Sequence, residues 1–515
     1  MRLHHRVFLI ASAFIWPACV APEATTSADL PAESSTAPLL VAIACPVPTT
    51  PTSVDARTAA CCRDPRVVVG AVTIETCVGA DLFFREPFGG NGRTCATCHP
   101  VSHNLTIDPA FIATLPFNDP LFVAENNPVL ANLEKPPQMH QFGLILENVD
   151  GLEDPVNKFV LRSVPHTLSL STSVTRPPGG VNPPADRTGW SGDGAPGTGT
   201  LREFMNGAIR QHYTQRLRRL EGTDFVLADD IELDRIDRFM RRTARTNELT
   251  LTSVTMSDAG AETGRVLFQQ VGCGACHGNA GANAGGNQNF NTGVESSRNP
   301  ALAAFPVDGG FGTTPLNPNG SFGNGKFNVP PLIEAADTGP FFHTATSVVG
   351  ATGHNTATAN TIEEAIAFYT SPAFRNAPDG FVINLSLANI DNVGKFLRGL
   401  NAVFNAAIAI KRIDAELAII PQFHSTQLAL QAELIRLANI EVGDAIRVLS
   451  EVPGLNVSSL NSFQQASTQL NIALLPPSEA ARVTALNNAR QLLTQGSAAV
   501  GTNLTITIGE GSVMF

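Results

Sequence analysis

Apolar residues at Ile231, Leu233, Ile236, Phe239 and Met240 fall at helical spacing, and Ile390–Leu400 repeats that pattern. Each block predicts an amphipathic helix. The first closes a unit spanning 68–248 and the second a unit spanning 249–400. Both units open alike, with Gly79-Ala80-Asp81-Leu82-Phe83 and Gly264-Arg265-Val266-Leu267-Phe268. From Asn401 the chain is rich in Ala, Leu and Ile with long helical periodicity, as in Phe404–Ile420 and Ser425–Leu449. A break at Pro476-Pro477 precedes one more helix, so 401–515 reads as a helical extension. Leu504–Ile508 alternates as a short strand would. Gly278–Asn299 is rich in Gly and Asn and predicts a loop without regular structure. The pattern as a whole predicts a mainly α fold.

The N-terminal end departs from this pattern. Met1–Arg6 is basic, and Val7–Trp16 is apolar but too short to span a membrane, so 1–21 reads as an export signal. Cleavage after Ala21 and lipidation at Cys19 are the two expected outcomes. Ala21–Thr58 is rich in Pro, Ala, Ser and Thr, and 22–67 is expected to be a flexible leader. The mature protein is expected in the periplasm or on a membrane face. Net charge is −11 with 15% charged residues, which gives no basic footprint for nucleic acid. Cys45, Cys61, Cys62 and Cys77 precede all other mature cysteines and predict two disulfides in an oxidising compartment. Adjacent Cys61 and Cys62 would be strained if joined, so each is expected to pair with Cys45 or Cys77.

The remaining cysteines carry the chemistry. Cys95-Ala96-Thr97-Cys98-His99 and Cys273-Gly274-Ala275-Cys276-His277 are both Cys-x-x-Cys-His. This is the attachment signature of haem c, in which two thiols bond the porphyrin and the imidazole binds iron. A zinc or redox Cys-x-x-Cys pair is the competing reading, but both pairs carry the following His. Two covalent haems, ligated by His99 and His277, are therefore expected. In a cytochrome c domain the first and last helices pack closely, and Gly79 suits such a crossing.

With these motifs in place, residues Val72–Leu400 resemble the di-haem cytochrome c peroxidase and MauG family. Asp81–His99 matches the family's opening, and Arg162-Ser163-Val164-Pro165-His166-Thr167-Leu168 is similar to its Arg-x-x-Pro-Thr-Leu segment. Val329-Pro330-Pro331-Leu332, Thr338-Gly339-Pro340-Phe341-Phe342-His343 and Ile362-Glu363-Glu364-Ala365-Ile366 match the block after the second haem. The resemblance implies two cytochrome c-like domains face to face. It places Tyr369 at the sixth-ligand position of the second haem, where a phenolate would favour ferric iron. It also puts His343 in that pocket as a hydrogen-bonding group; His354, in an inserted loop, is the competing ligand. Trp190 matches the family's electron relay between haems.

The peroxide pocket departs from the family. The expected Gln and Pro are Phe204 and Ala208, and His212 stands near the expected Glu. His212 could act as a distal base or bind the first iron. Glu203 is a second acid–base candidate, and His103, Met139, His140 and His166 are further distal candidates. The family also places Ca²⁺ between the haems. Thr338 and Pro340 match that site, but its Asn has no counterpart near Ser169. The implied activity is electron transfer from a small redox protein or other donor to a peroxide-type oxidant. The alternatives are a di-haem electron carrier with both irons six-coordinate, and MauG-like oxidation of a protein partner.

Overall fold

The computed structural model describes residues 53–515, apart from 153, 155–156, 175–185, 187, 193–199, 283–288, 313–319 and 476–477. The expected export signal, Cys19, Cys45 and the Pro476-Pro477 break lie outside the described residues. The architecture is mainly α. Its helices are α1 (Ser53–Cys61), α2 (Ile74–Arg85), α3 (Leu201–His212), α4 (Asp230–Arg241), α5 (Ala259–Gln270), α6 (Ile362–Phe368), α7 (Leu387–Phe423), α8 (Leu428–Ser450), α9 (Val457–Leu474) and α10 (Glu479–Val500). The described strands form two-stranded antiparallel pairs, such as Leu144–Glu147 with Val160–Ser163 and Asn289–Phe290 with Phe327–Asn328.

The repeated plan is visible in how helices cross. α2 meets α4 at Gly79, where an added Cβ would overlap the Arg235 carbonyl and press on Phe239. α5 meets α7 at Gly264, where it would overlap the Asn392 carbonyl. Both opening helices thus use Gly to bring two backbones into contact. Leu233, Ile236, Phe239 and Met240 turn inward as the spacing predicts, while Ile231 is 55% exposed. α4 begins with a capping box, Asp229 accepting from Ile231 and Glu232 while Glu232 returns to the Asp229 N–H.

Several expectations need correction. The folded body begins well before residue 68, within the stretch expected as leader. Arg57 on α1 pairs with Asp81 and Glu86, Val54 and Val67 are buried, and a Cys61–Cys77 disulfide ties α1 to α2. The boundary at 400 falls inside α7. Its buried face runs unbroken from Ile390 to Ile420, so no side chain or cap stops the helix. Within the Gly278–Asn299 stretch, Asn289–Phe290 forms a strand because Phe327–Asn328 offers it a partner. Leu504–Ile508 forms no regular strand: Ile508 pairs with Arg245, Thr507 accepts the Thr246 N–H, and Leu504, Ile506 and Ile508 alternate because they pack on the core.

α7 packs with α8 and α10, and α9 packs against those two; their Leu434, Phe463, Leu486 and Leu493 are fully buried. The chain then returns to the first unit. Glu510 accepts hydrogen bonds from the Thr73 N–H and from the hydroxyls of Thr73 and Thr76 at the start of α2. Arg66 donates to the Val513 carbonyl and Arg412 to that of Ser512, while Val513 and Met514 join the core around α2 and α4. No described helix is long and apolar enough to cross a membrane.

The extension buries a carboxyl without a hydrogen-bond partner. Glu416 on α7 is fully buried, neither oxygen is bonded, and burial pushes its pKa up to about 7. The folded state therefore keeps a proton that the unfolded chain releases at lower pH. The resulting stabilisation is complete below the ordinary glutamate pKa and is lost as pH rises toward 7. Glu416→Gln is expected to leave stability at pH 4 nearly unchanged and to add roughly 2 kcal/mol at pH 8. Urea unfolding at the two pH values checks this, and an equal effect at both would refute it.

Candidate functional site

The first motif is held by the loop before it. Asn91 donates to the carbonyls of His212 and Thr214 and receives the Arg93 N–H on its Oδ1. Cys95 to Cys98 then form one helical turn, with Thr94 and Thr97 capping each other. The Tyr213 hydroxyl donates to Cys95 Sγ at 3.3 Å. His99 Nδ1 lies 2.8 Å from the Leu105 carbonyl. That contact fixes the ring and leaves Nε2 as the free ligand atom. Burial drives the His99 pKa down to about 4, so its ring is neutral, as a metal ligand must be.

The second motif repeats this arrangement. His277 Nδ1 faces the Pro330 carbonyl at 3.1 Å, and burial again lowers its pKa to about 4. Cys273, Cys276 and His277 line an apolar cavity of about 1170 Å³. Tyr369, at the end of α6, lines it too and packs on Phe342, Phe368 and Phe374. Burial raises the Tyr369 phenol well above its ordinary pKa, so only a bound cation would hold it as phenolate. His343 lines the same cavity, stacked on Phe327 at 3.7 Å with Nε2 2.9 Å from Glu295. It is thus a hydrogen-bonding wall residue. His354 sits on the hairpin strand His354–Thr356 and does not line the cavity.

A second cavity of about 1030 Å³ lies across a wall from the first. The two share Trp190, Asn328, Val329, Pro330, Leu332, Phe341 and Phe342. Trp190 Nε1 donates to the Ser163 carbonyl at 2.8 Å, and its ring centre is 6.3 Å from that of His343. The second cavity adjoins the first motif through Leu105. The Leu105 carbonyl receives both His99 Nδ1 and the Thr167 N–H, and Val164–Leu170 supplies several lining residues. Cys95, Cys98 and His99 are not themselves lining residues. Their thiols pack into neighbouring hydrophobic clusters.

The structure reassigns the histidines around the first motif. His166, one of several distal candidates, lines the cavity beside Trp190 and its buried Nδ1 has no partner. His212 instead lies 3.8 Å from Glu134, which forms a buried ion pair with Arg93. It is absent from the cavity wall because it ends α3, about two turns beyond Phe204, while Leu201 and Phe204 face the cavity. Glu203 is no acid–base candidate. It is exposed in the first turn of α3, where its N–H bonds Thr200. His103 pairs with Asp108, His140 with Glu125, and Met139 is core. At the expected calcium position the Thr338 hydroxyl donates to Ala335, and the Ser169 hydroxyl accepts the Arg245 N–H.

The thiols discriminate between readings. Burial pushes Cys98 and Cys273 up to about 12, and Cys95 and Cys276 to about 11. A redox-active pair keeps one thiol depressed, so these are not poised for exchange. Zinc held by protein alone takes about four donors. No group of three such residues able to hold a metal ion occurs among the described residues. A buried thiol pair and a neutral, oriented imidazole at an apolar cavity instead fit a flat hydrophobic macrocycle. Compared with known protein families, curated proteins and solved structures, the chain shows no match.

Proposed function

We propose that this chain is an exported di-haem c-type cytochrome, built on two cytochrome c-like domains, that moves electrons from a donor to a peroxide-type oxidant. The observation that carries the reading is the shared wall. Two cavities, each next to a Cys-x-x-Cys-His motif, meet at Trp190. Bound haem c would supply one-electron chemistry at iron, with a potential set by ligands, hydrogen bonds and burial. Cys95, Cys98, Cys273 and Cys276 would tether it, and His99 and His277 would ligate it. Tyr369 is the candidate sixth ligand at the second site, whose apolar wall excludes water. Trp190, held by Ser163, is oriented to carry charge through the wall.

At the first site His166 is the group best placed to move a proton at the oxidant. The same unpartnered Nδ1 supports the second reading. If His166 binds iron, the first site closes and the protein is an electron carrier. The donor would be a small redox protein or comparable reductant, in the periplasm or at a lipid-tethered Cys19.

Optical and EPR spectra of the ferric protein test these readings. The oxidoreductase reading expects a high-spin first site that changes on adding hydrogen peroxide. His166→Ala should slow that change at least tenfold, and His212→Ala should leave it within about twofold. Tyr369→Phe should abolish one low-spin signal. If both sites are low-spin and peroxide changes nothing, the electron carrier stands instead.

A further inference from the structure

His343 and Glu295 occupy a position that the relay role of Trp190 does not use. His343 is 1% exposed and lines the cavity at the second motif, but its Nε2 points away toward Glu295 Oε2. Glu295 in turn lines a solvent-open groove of about 1020 Å³, with Asp308, Ser296 and the amides of Asn291 and Asn324. One carboxylate therefore joins bulk water to a buried imidazole beside Trp190.

The surrounding charges leave room for one proton. Glu295 Oε1 receives the Asp308 N–H at 3.0 Å and lies 3.4 Å from Arg298. Asp308 is paired with Arg162, which also reaches Glu147 and the Ser191 hydroxyl next to Trp190. Farther out, Asp150 is offset by Lys158. The inner group thus holds the carboxylates of Glu147, Glu295 and Asp308 against the guanidiniums of Arg162 and Arg298. His343 Nε2 faces this group, and the apolar faces of Phe327 and Trp190 offer no competing charge. Buried charge left uncompensated is costly, so a change of charge in the cavity should be answered at this ring.

We infer that His343 and Glu295 form a proton path that serves the second site. The inference rests on the haem reading above. Haem held by Cys273, Cys276 and His277 would supply one-electron chemistry there, and for each electron lost one proton would leave His343 Nε2. It passes to Glu295 Oε2 and on to water in the groove. The donor's next electron is accompanied by a proton returning along the same path.

Redox titration of the purified holoprotein at pH 5 to 8 tests this, with the second site identified by the signal that Cys273→Ala/Cys276→Ala removes. The wild-type midpoint is expected to fall as pH rises. His343→Gln should abolish that slope, and Glu295→Gln should move it to lower pH while the first site stays unchanged. Equal slopes in all three proteins would overturn the path and leave the haem reading intact. Absence of covalent haem from the wild-type protein would overturn both.

Discussion

Gly264→Ala is expected to destabilise the protein by about 3 kcal/mol or more, and Gly79→Ala by a similar amount, since overpacking a close contact typically costs ~1–3 kcal/mol and here the obstacle is backbone. At each crossing the new methyl would overlap a main-chain carbonyl, that of Asn392 or Arg235. A flexible side chain could turn aside, but a helix carbonyl cannot move without carrying its helix. The cost should fall on helix separation and so appear as a lower midpoint in denaturant with little change in slope. Gly443 is the internal control, because nothing lies within 4 Å of an added Cβ there. Gly443→Ala should be neutral or slightly stabilising, given the better helix propensity of Ala. Three variants of equal stability would show that the crossings are not close.

The largest functional effect is expected from Cys273→Ala/Cys276→Ala. Without thiols the cavity at the second motif loses its covalent hold, and haem staining after denaturing electrophoresis should report half the wild-type content per chain. Cys95→Ala/Cys98→Ala should remove the other half. Loss of the tether need not unfold the second unit, because its core of Phe268, Phe368, Phe396 and Leu397 is formed by protein alone. His277→Ala separates tether from ligand. It should retain covalent haem but change its spectrum, since the thiols do not depend on the imidazole. Wild-type protein that carries no stain after export would defeat the proposed function outright.

The parts of this fold that could be read in advance rest on short-range periodicity. Gly79, Gly264 and the inward faces of α2, α4, α5 and α7 were legible because helical spacing and a small residue at a crossing are local signals. Trp190 stands out in the sequence only through the resemblance, and its place in the wall between the two cavities comes from the fold. The continuity of α7 past residue 400 was not, because a change in composition was mistaken for a change of element. His166 could not be ranked over His212, since cavity walls are assembled from segments with no common spacing. Glu295 and Asp308 lie in irregular chain after the second motif, where nothing periodic marks a residue that meets His343. The early start of the folded body was hidden for a related reason. Arg57 and Cys61 hold α1 through partners 16 to 29 residues away rather than through its own pattern.

The return of the chain end to α2 has a temporal consequence. Val513 and Met514 belong to the core of the unit that is synthesised first, and Glu510 satisfies donors at the head of its opening helix. That unit therefore cannot complete its packing until residues 510 to 514 have been made. Contacts separated by more than four hundred residues form late, because the intervening chain must first be ordered. The core around α2 and α4 is thus finished by residues made more than four hundred positions after it began.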